Sequence, residues 1–366
     1  MPSLLRRLAA RLRSRDALVV LVFLAACAAL LRLDLGDTGR GEHQHGLLHH
    51  KARVLAADDS AVRRNAMIRT GEQRLQVELL AGPHRGATLP AVNLLTGQMS
   101  IDEFYAAGDT LLLQYSSAPD IRPAQGVARG HYRIDSFLWL FGLFVALLLA
   151  VSGGTGAKAV LSFVFAALMV WKVMVPLYLR GWNPLAVGMG VLLPLSFAIC
   201  FLVGGLNRRG LAAFLGTILG LGITLALAWS CTGAFHIHGA VRHYSETLLY
   251  SGFPYLQVTP IFVAGIVFGC SGAVMDVAMD IASAMDELKL HNPALTPWAH
   301  VRSGLSVGRA VTGTMTTTLL LAYSSSAIAM LMLFYSQGLP LVRILNIGEV
   351  SAECVNIVIG SIGAIS

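Results

Sequence analysis

The chain is built from long apolar blocks separated by short polar breaks, with one stretch of different texture near its beginning. The blocks are Ala17–Leu33, Ser136–Val151, Ala159–Leu179, Leu185–Gly205, Leu211–Ser230, Tyr255–Val274 and Val311–Tyr335. Most approach the roughly 20 residues that a helix needs to cross a hydrocarbon core. A further apolar stretch runs from about Val350 to Ser366, short for a full span, which reads as a span that the chain cuts short or as a half-helix. Between the first and second blocks, residues 34–134 alternate apolar and polar positions over short runs: Lys51–Ala57, Arg74–Leu80, Ala87–Leu94 and Thr110–Ser116. Gly82-Pro83, Gly86, Gly97 and Gly108-Asp109 punctuate them, a pattern of strands and turns that predicts a small β-barrel or sandwich.

The fold class expected is therefore an all-α polytopic membrane bundle carrying a small extracytoplasmic β domain. Three parts follow: a basic N-terminus with the first transmembrane helix (1–33), the β domain (34–134) and a multi-span, permease-like domain (135–366). The first block contains small residues, Ala25, Ala26, Ala28 and Ala29, as a cleaved signal peptide does. Its apolar run is long for a signal core, and an uncleaved anchor is the reading adopted.

Composition agrees with a stack of spans. Of 366 residues 55% are apolar and only 13% charged, and about 25% is usual for a soluble chain. The net charge of +7 raises nucleic acid as a partner, but its placement excludes that. Arg6, Arg7, Arg11, Arg13 and Arg15 precede the first apolar block, as in a cytoplasmic N-terminus, and no nucleic-acid motif accompanies them. With that orientation Lys158, Arg208, Arg209, Lys289 and Arg302 fall inside, and Arg180, Arg242 and Arg343 outside. The lipid bilayer is thus the first partner. Cys27, Cys200, Cys231, Cys270 and Cys354 lie in or beside apolar blocks without a CxxC spacing, and read as packing residues.

Candidate chemistry concentrates in two segments. Asp276 and Asp280 stand four apart at the end of an apolar block, and Ser283 and Glu287 continue the same helical face. Carboxylates adjoining a span face a cavity or a partner, which suits proton or cation handling. An ordinary amphipathic helix beyond the interface is the alternative. In the second segment Arg302, Ser306, Arg309, Gly313 and Thr316 share a face, with Thr312 among the neighbouring hydroxyls. Such a face lines a pathway or glues helices together. Arg309 is the expected partner of Asp276 or Asp280.

Lys172, four residues before Pro176 and near the middle of an apolar block, is a further pathway candidate, with snorkelling as its alternative. Glu349 and Glu353 open the last segment and are read as outer-surface residues or as functional ones. His43, His45, His49, His50, His236 and His238 are weak metal candidates on composition alone. Gly153-Gly154-Thr155-Gly156-Ala157-Lys158 lacks the Gly-Lys-Ser/Thr ending of a phosphate loop and reads as a tight turn between spans. No cofactor motif is present, and no paired nucleophile and base marks an enzyme.

The run Gly269–Glu287, the run from Ser303-Gly304 through Gly308-Arg309 and Gly313-Thr314-Met315 to Thr317-Thr318-Leu319, and Gly360-Ser361-Ile362-Gly363 together resemble the YibE/F-like bacterial membrane proteins. The β domain, with Gly108-Asp109 before an apolar strand, resembles the arrangement in that family, so the likeness extends from about residue 50. It implies a bacterial cytoplasmic-membrane protein with a permease-like body and supplies no substrate. The function expected is a secondary transporter or permease for a small ion or solute, coupled through the carboxylates. The alternative is a scaffold or accessory protein whose outer domain docks a membrane partner. Small-residue helix faces also allow a homo-oligomer.

Overall fold

The structure is a computed structural model that describes residues 2–33, 35, 47–116 and 125–366, with side chains from residue 17 onward. The chain forms two compact units, Gly39–Leu147 and the remainder.

The first unit contains β1 (Leu47–Asp58), β2 (Val62–Asn65), β3 (Ile68–Leu79), β4 (Thr88–Thr96), β5 (Thr110–Ser116) and β6 (Gly126–His131). The long β1 pairs antiparallel with both β5 and β3, and a register shift between Val54 and Ala56 bends it from one to the other. That double pairing closes the sheet: β1, β3, β4, β6 and β5 form a five-stranded barrel, and β2 is a hairpin arm on β3. β4 and β6 run parallel, meeting only at Ala91–Gly126 and Val92–Val127. With the β2 arm set aside, this is the strand order and parallel seam of the OB-fold, a small Greek-key barrel. The expected β domain is thus a barrel and not a sandwich.

Period-two alternation fills the barrel. Leu75, Val77 and Leu79 from β3, Leu89 and Ala91 from β4, and Leu111, Leu113 and Tyr115 from β5 are buried together. Gly126 starts β6 because a Cβ there would stand 2.8 Å from the Leu113 side chain. One end of the core is polar. Gln73, fully buried, donates to Asp59 (2.9 Å) and to the Tyr105 carbonyl (2.8 Å), and accepts from the Tyr105 N–H and the Asn93 amide. Asn93 also donates to the Glu103 carbonyl at 2.7 Å. This network fastens the β4–β5 connection across the barrel end. The Gly108-Asp109 turn follows, hydrogen-bonded on both sides to Val54. All four strand runs expected from sequence are present; β2 and β6 are additional. Val-Arg-Arg-Asn and a strand with two glycines carry no alternation to read.

The helices are α1 (Pro2–Arg32), α2 (Ile134–Met169), α3 (Val175–Leu179), α4 (Pro184–Gly204), α5 (Arg208–Ala234), α6 (Ser245–Tyr250), α7 (Val258–His291), α8 (Pro297–Ser336), α9 (Leu341–Leu345) and α10 (Gly348–Ile365). Among the described residues, six helical segments are long and apolar enough to cross a membrane: Ile134–Leu179, α4, α5, α7, α8 and α10. Ala17–Arg32 is a shorter apolar helix, packed through Val19, Phe23 and Cys27 against Phe165, Val187, Val191 and Leu195. Helices in lipid associate by close packing, and small residues supply it here. Gly188 meets Ala264, Gly360 meets Cys270, and Gly363 leaves no room for a Cβ beside Thr224.

Four details go beyond the sequence expectations. The blocks Ser136–Val151 and Ala159–Leu179 join in one helical run broken at Gly153, whose φ of 52° only glycine adopts readily. Pro176 has no N–H to give the Lys172 carbonyl, and the preceding turn widens to a π-turn over Val170–Met174, with the Val175 N–H bonded to the Val170 carbonyl. α7 and α8 continue past their apolar blocks to 34 and 40 residues. At 1.5 Å per residue these are about 51 and 60 Å long, well beyond a hydrocarbon core of about 30 Å. α10 is a helix of 18 residues, about 27 Å, so the last segment is long enough to cross.

Candidate functional site

Helices α5, α7, α8 and α10 pack around a shared core that includes Leu221, Ala228, Ile266, Cys270, Leu319, Val355 and Ile359. Polar groups gather at its two ends.

At the end where α5 begins, a cleft of about 820 Å³ opens between these helices. α5 starts there because Asn207 caps it, its side-chain oxygen accepting from the Gly210 N–H at 2.9 Å. That start places Arg208 and Arg209 on the cleft wall. The continuation of α7 contributes Asp286 and Lys289, and the first half of α8, capped by Thr296, contributes His300, Arg309 and Thr312. Arg209 donates to the Gly204 carbonyl at 3.1 Å, while its Nε and the Nδ1 of His300 are buried without a partner. Among the described residues none of these cations lies within 4.0 Å of a carboxylate. Val274, Val277 and Ile281 make the remaining wall apolar.

At the other end the chain leaves α5 and turns through Gly239–Val241. Gly239 lies on the start of α7: a Cβ there would stand 2.0 Å from the Val258 carbonyl oxygen, and the Gly239 N–H reaches the Thr259 hydroxyl at 3.2 Å. This close approach delivers Arg242. Its guanidinium meets the Glu353 carboxylate of α10 at 2.5 Å and stands 5.2 Å from the centre of the Phe262 ring. The Asn356 amide donates to the same carboxylate at 3.4 Å. The hydroxyl of Tyr323 of α8 lies against Gly269, where a Cβ would stand 2.7 Å from it. The Tyr323 hydroxyl, the Asn356 carbonyl oxygen and the Thr232 hydroxyl are buried without partners. Unsatisfied buried groups are rare, and three in one core set it apart from the apolar packing around it.

The residues singled out from sequence divide between these surroundings and others. Arg309 and Thr312 line the cleft. Asp276, Asp280 and Glu287 share one face of α7 as expected, but at 100° per residue that face is opposite Val274, Ile281 and Met285, which line the cleft. The expected pairing of Arg309 with Asp276 or Asp280 is not formed: Arg309 turns to the cleft, and both aspartates are exposed without an ion pair. Glu287 is bonded instead to His291, one turn on, at 2.9 Å. Thr312 and Thr316 give their hydroxyl protons to the carbonyls of Gly308 and Thr312, each at 2.9 Å. Lys172 lies in the π-turn and is not among the residues that line the cleft.

Among the described residues no three His, Cys, Asp or Glu side chains come together as a metal site. His43 and His45 lie outside the described residues; His49 and His50 belong to β1, where His50 bonds Tyr115 at 3.0 Å. His236 and His238 belong to the turn after α5, where His238 accepts from the Ala240 N–H. All five cysteines are unpaired, and Cys27, Cys200 and Cys270 are buried.

From sequence Glu353 reads as an outer-surface residue or a functional one, and Arg242 as a charge of an outer segment. A signal existed for Glu353, since Asn356 follows it by three where the helix turns mostly apolar. Nothing local joins it to Arg242, 111 positions away.

Apolar helices of bilayer length, small-residue packing and charge gathered at the two ends of one helical core define a multi-pass membrane protein. The chain belongs to the YibE/F-like protein family, whose model matches residues 140–366. The match begins within α2, so the likeness expected from about residue 50 stops short of the barrel. No curated protein and no solved structure matches the chain.

Proposed function

We propose that this protein is a secondary transporter or permease of the bacterial cytoplasmic membrane, coupled to a proton or cation, with a pathway along α5, α7, α8 and α10. The observation that carries the reading is one helical core with a cleft of about 820 Å³ at one end and the Arg242–Glu353 pair at the other. With the N-terminus in the cytoplasm, the barrel outside and the run Ile134–Leu179 crossing twice about its break at Gly153, the cleft is the inner vestibule and the ion pair the outer closure. Protonation of Glu353 removes the charge that holds Arg242, and releases it. Asp276 and Asp280, on the far face of α7, are the second carboxylate set for coupling.

The test is proton and solute flux in sealed proteoliposomes with a trapped pH dye. Solute-dependent proton movement is expected in the wild type and lost in Glu353→Gln or in Asp276→Asn/Asp280→Asn. Full coupled flux in both variants would end the proposal.

One observation favours a second reading, a scaffold that docks a partner through the barrel. Met67, Ile68, Leu94, Met99 and Ile101 expose large apolar surface on that unit. Under this reading the full chain retains a membrane partner through affinity purification, and loses it when Met67, Met99 and Ile101 become serine.

A further inference from the structure

We infer that the cleft between α5, α7, α8 and α10 binds an organic oxyanion, a phosphate or carboxylate head carried on an apolar body. Calling this anion the cargo rests on the permease reading; its binding does not.

Charge in the cleft is one-sided. Arg208, Arg209, Lys289 and Arg309 bring four permanent cations, His300 a titratable one, and among the lining side chains Asp286 carries the carboxylate. Basic residues gather at the inner ends of spans in any membrane protein, but they then lie open to water and headgroups. Here Arg208, Lys289 and Arg309 are exposed at the rim of the cleft, and the half-buried Arg209 and His300 each keep a buried nitrogen with no partner, Arg209 Nε and His300 Nδ1. Arg209 Nε is a donor in every state, and His300 Nδ1 is one when the ring is charged or carries its proton there; a donor left so is completed by a ligand that accepts hydrogen bonds.

Guanidinium groups present forked donors that match the paired oxygens of phosphate and carboxylate. The start of α5 adds its positive dipole end to the same wall. The rest of the wall, from Val274, Val277 and Ile281, repels a small hydrated ion and favours a head with an apolar attachment. The volume also exceeds what inorganic phosphate alone fills. A soluble organic anion and an anionic lipid headgroup share this chemistry.

The experiment titrates the full chain in neutral detergent with hexyl phosphate, inorganic phosphate and hexyltrimethylammonium, by calorimetry. Hexyl phosphate is expected to bind more tightly than inorganic phosphate, and the cationic analogue not at all. Arg309→Gln and Lys289→Gln, both at exposed side chains, each weaken hexyl phosphate about tenfold, the size of one lost charge-assisted bond. Arg343→Gln removes an equal charge away from the cleft and leaves binding unchanged. Absence of hexyl phosphate binding, or binding indifferent to both cleft variants, overturns the site. A second arm separates the sources: phosphatidylglycerol held by the wild type in nanodiscs, displaced by hexyl phosphate and lost in Arg309→Gln, assigns the site to a headgroup. Binding that survives lipid exchange and drives counterflow assigns it to a solute. Hexyl phosphate binding without flux for any solute overturns the permease reading and leaves the oxyanion site standing.

Discussion

Arg242 and Glu353 meet at 2.5 Å although 111 residues separate them, and the contact ties the turn after α5 to the second turn of α10. Glu353 is mostly shielded and Arg242 about a third exposed, so each has given up water for the other. Removing one partner strands the other, and Arg242→Gln or Glu353→Gln is expected to cost about 2 kcal/mol each. The double variant costs less than the sum. Thermal unfolding of the four proteins in one detergent closes the cycle; additive losses would show that the pair is not coupled.

Gly239 sets that pair in place by letting the turn touch the α7 backbone. Gly239→Ala puts a methyl group into the Val258 carbonyl and is expected to destabilise by about 1–3 kcal/mol. Gly190→Ala, in α4 with nothing within 4 Å, is the control and leaves the melting temperature unchanged or raised. Equal melting temperatures for wild type and Gly239→Ala would contradict the close approach.

The barrel depends on its polar end. Gln73→Leu keeps the volume but takes the acceptor from the Tyr105 N–H and breaks the link to Asn93. A loss of about 2 kcal/mol is expected. Hydrogen exchange on the full chain should localise it, with the β4–β5 connection opening before the β1–β3 pairing.

Glu103 gives the same unit a pH dependence. Partial burial pushes its carboxyl up, but hydrogen bonds from Arg133 (2.5 Å) and the His131 N–H (2.5 Å), with the Arg133 charge, outweigh burial and hold it below 4.5. A depressed carboxylate stabilises the fold above its unfolded value, and that contribution is lost as pH falls through the folded value. Barrel amides are therefore expected to lose protection as the solution is acidified from about pH 5, the upper edge of carboxylate titration. Glu103→Gln should flatten the profile; an unchanged profile would remove Glu103 as its source.

Some of this was readable in the chain and some was not. Alternation in Leu75, Val77 and Leu79 marked a strand, because one side of it faces a core. No pattern marked β6 as the parallel neighbour of β4, because barrel closure, not local propensity, chooses the partner. Apolar runs located the spans, yet stopped short at Val274 and began late at Val311, where α7 and α8 turn charged and hydroxyl-rich while remaining helical. Arg309 and Thr312 were legible as one helix's polar side. Which neighbour they face was not, since that depends on how α8 is rotated against α7. The Arg242–Glu353 contact was invisible for the same reason on a larger scale.

The closed barrel has one more consequence. A ladder that returns to its first strand leaves open backbone in two short places, beside the two-pair β4–β6 seam and along the outer side of β2, which is four residues long and carries Arg63 and Arg64. Another chain cannot easily extend this sheet by adding a strand. Whatever meets this unit must recognise side chains, and encounters that offer only backbone pass without sticking.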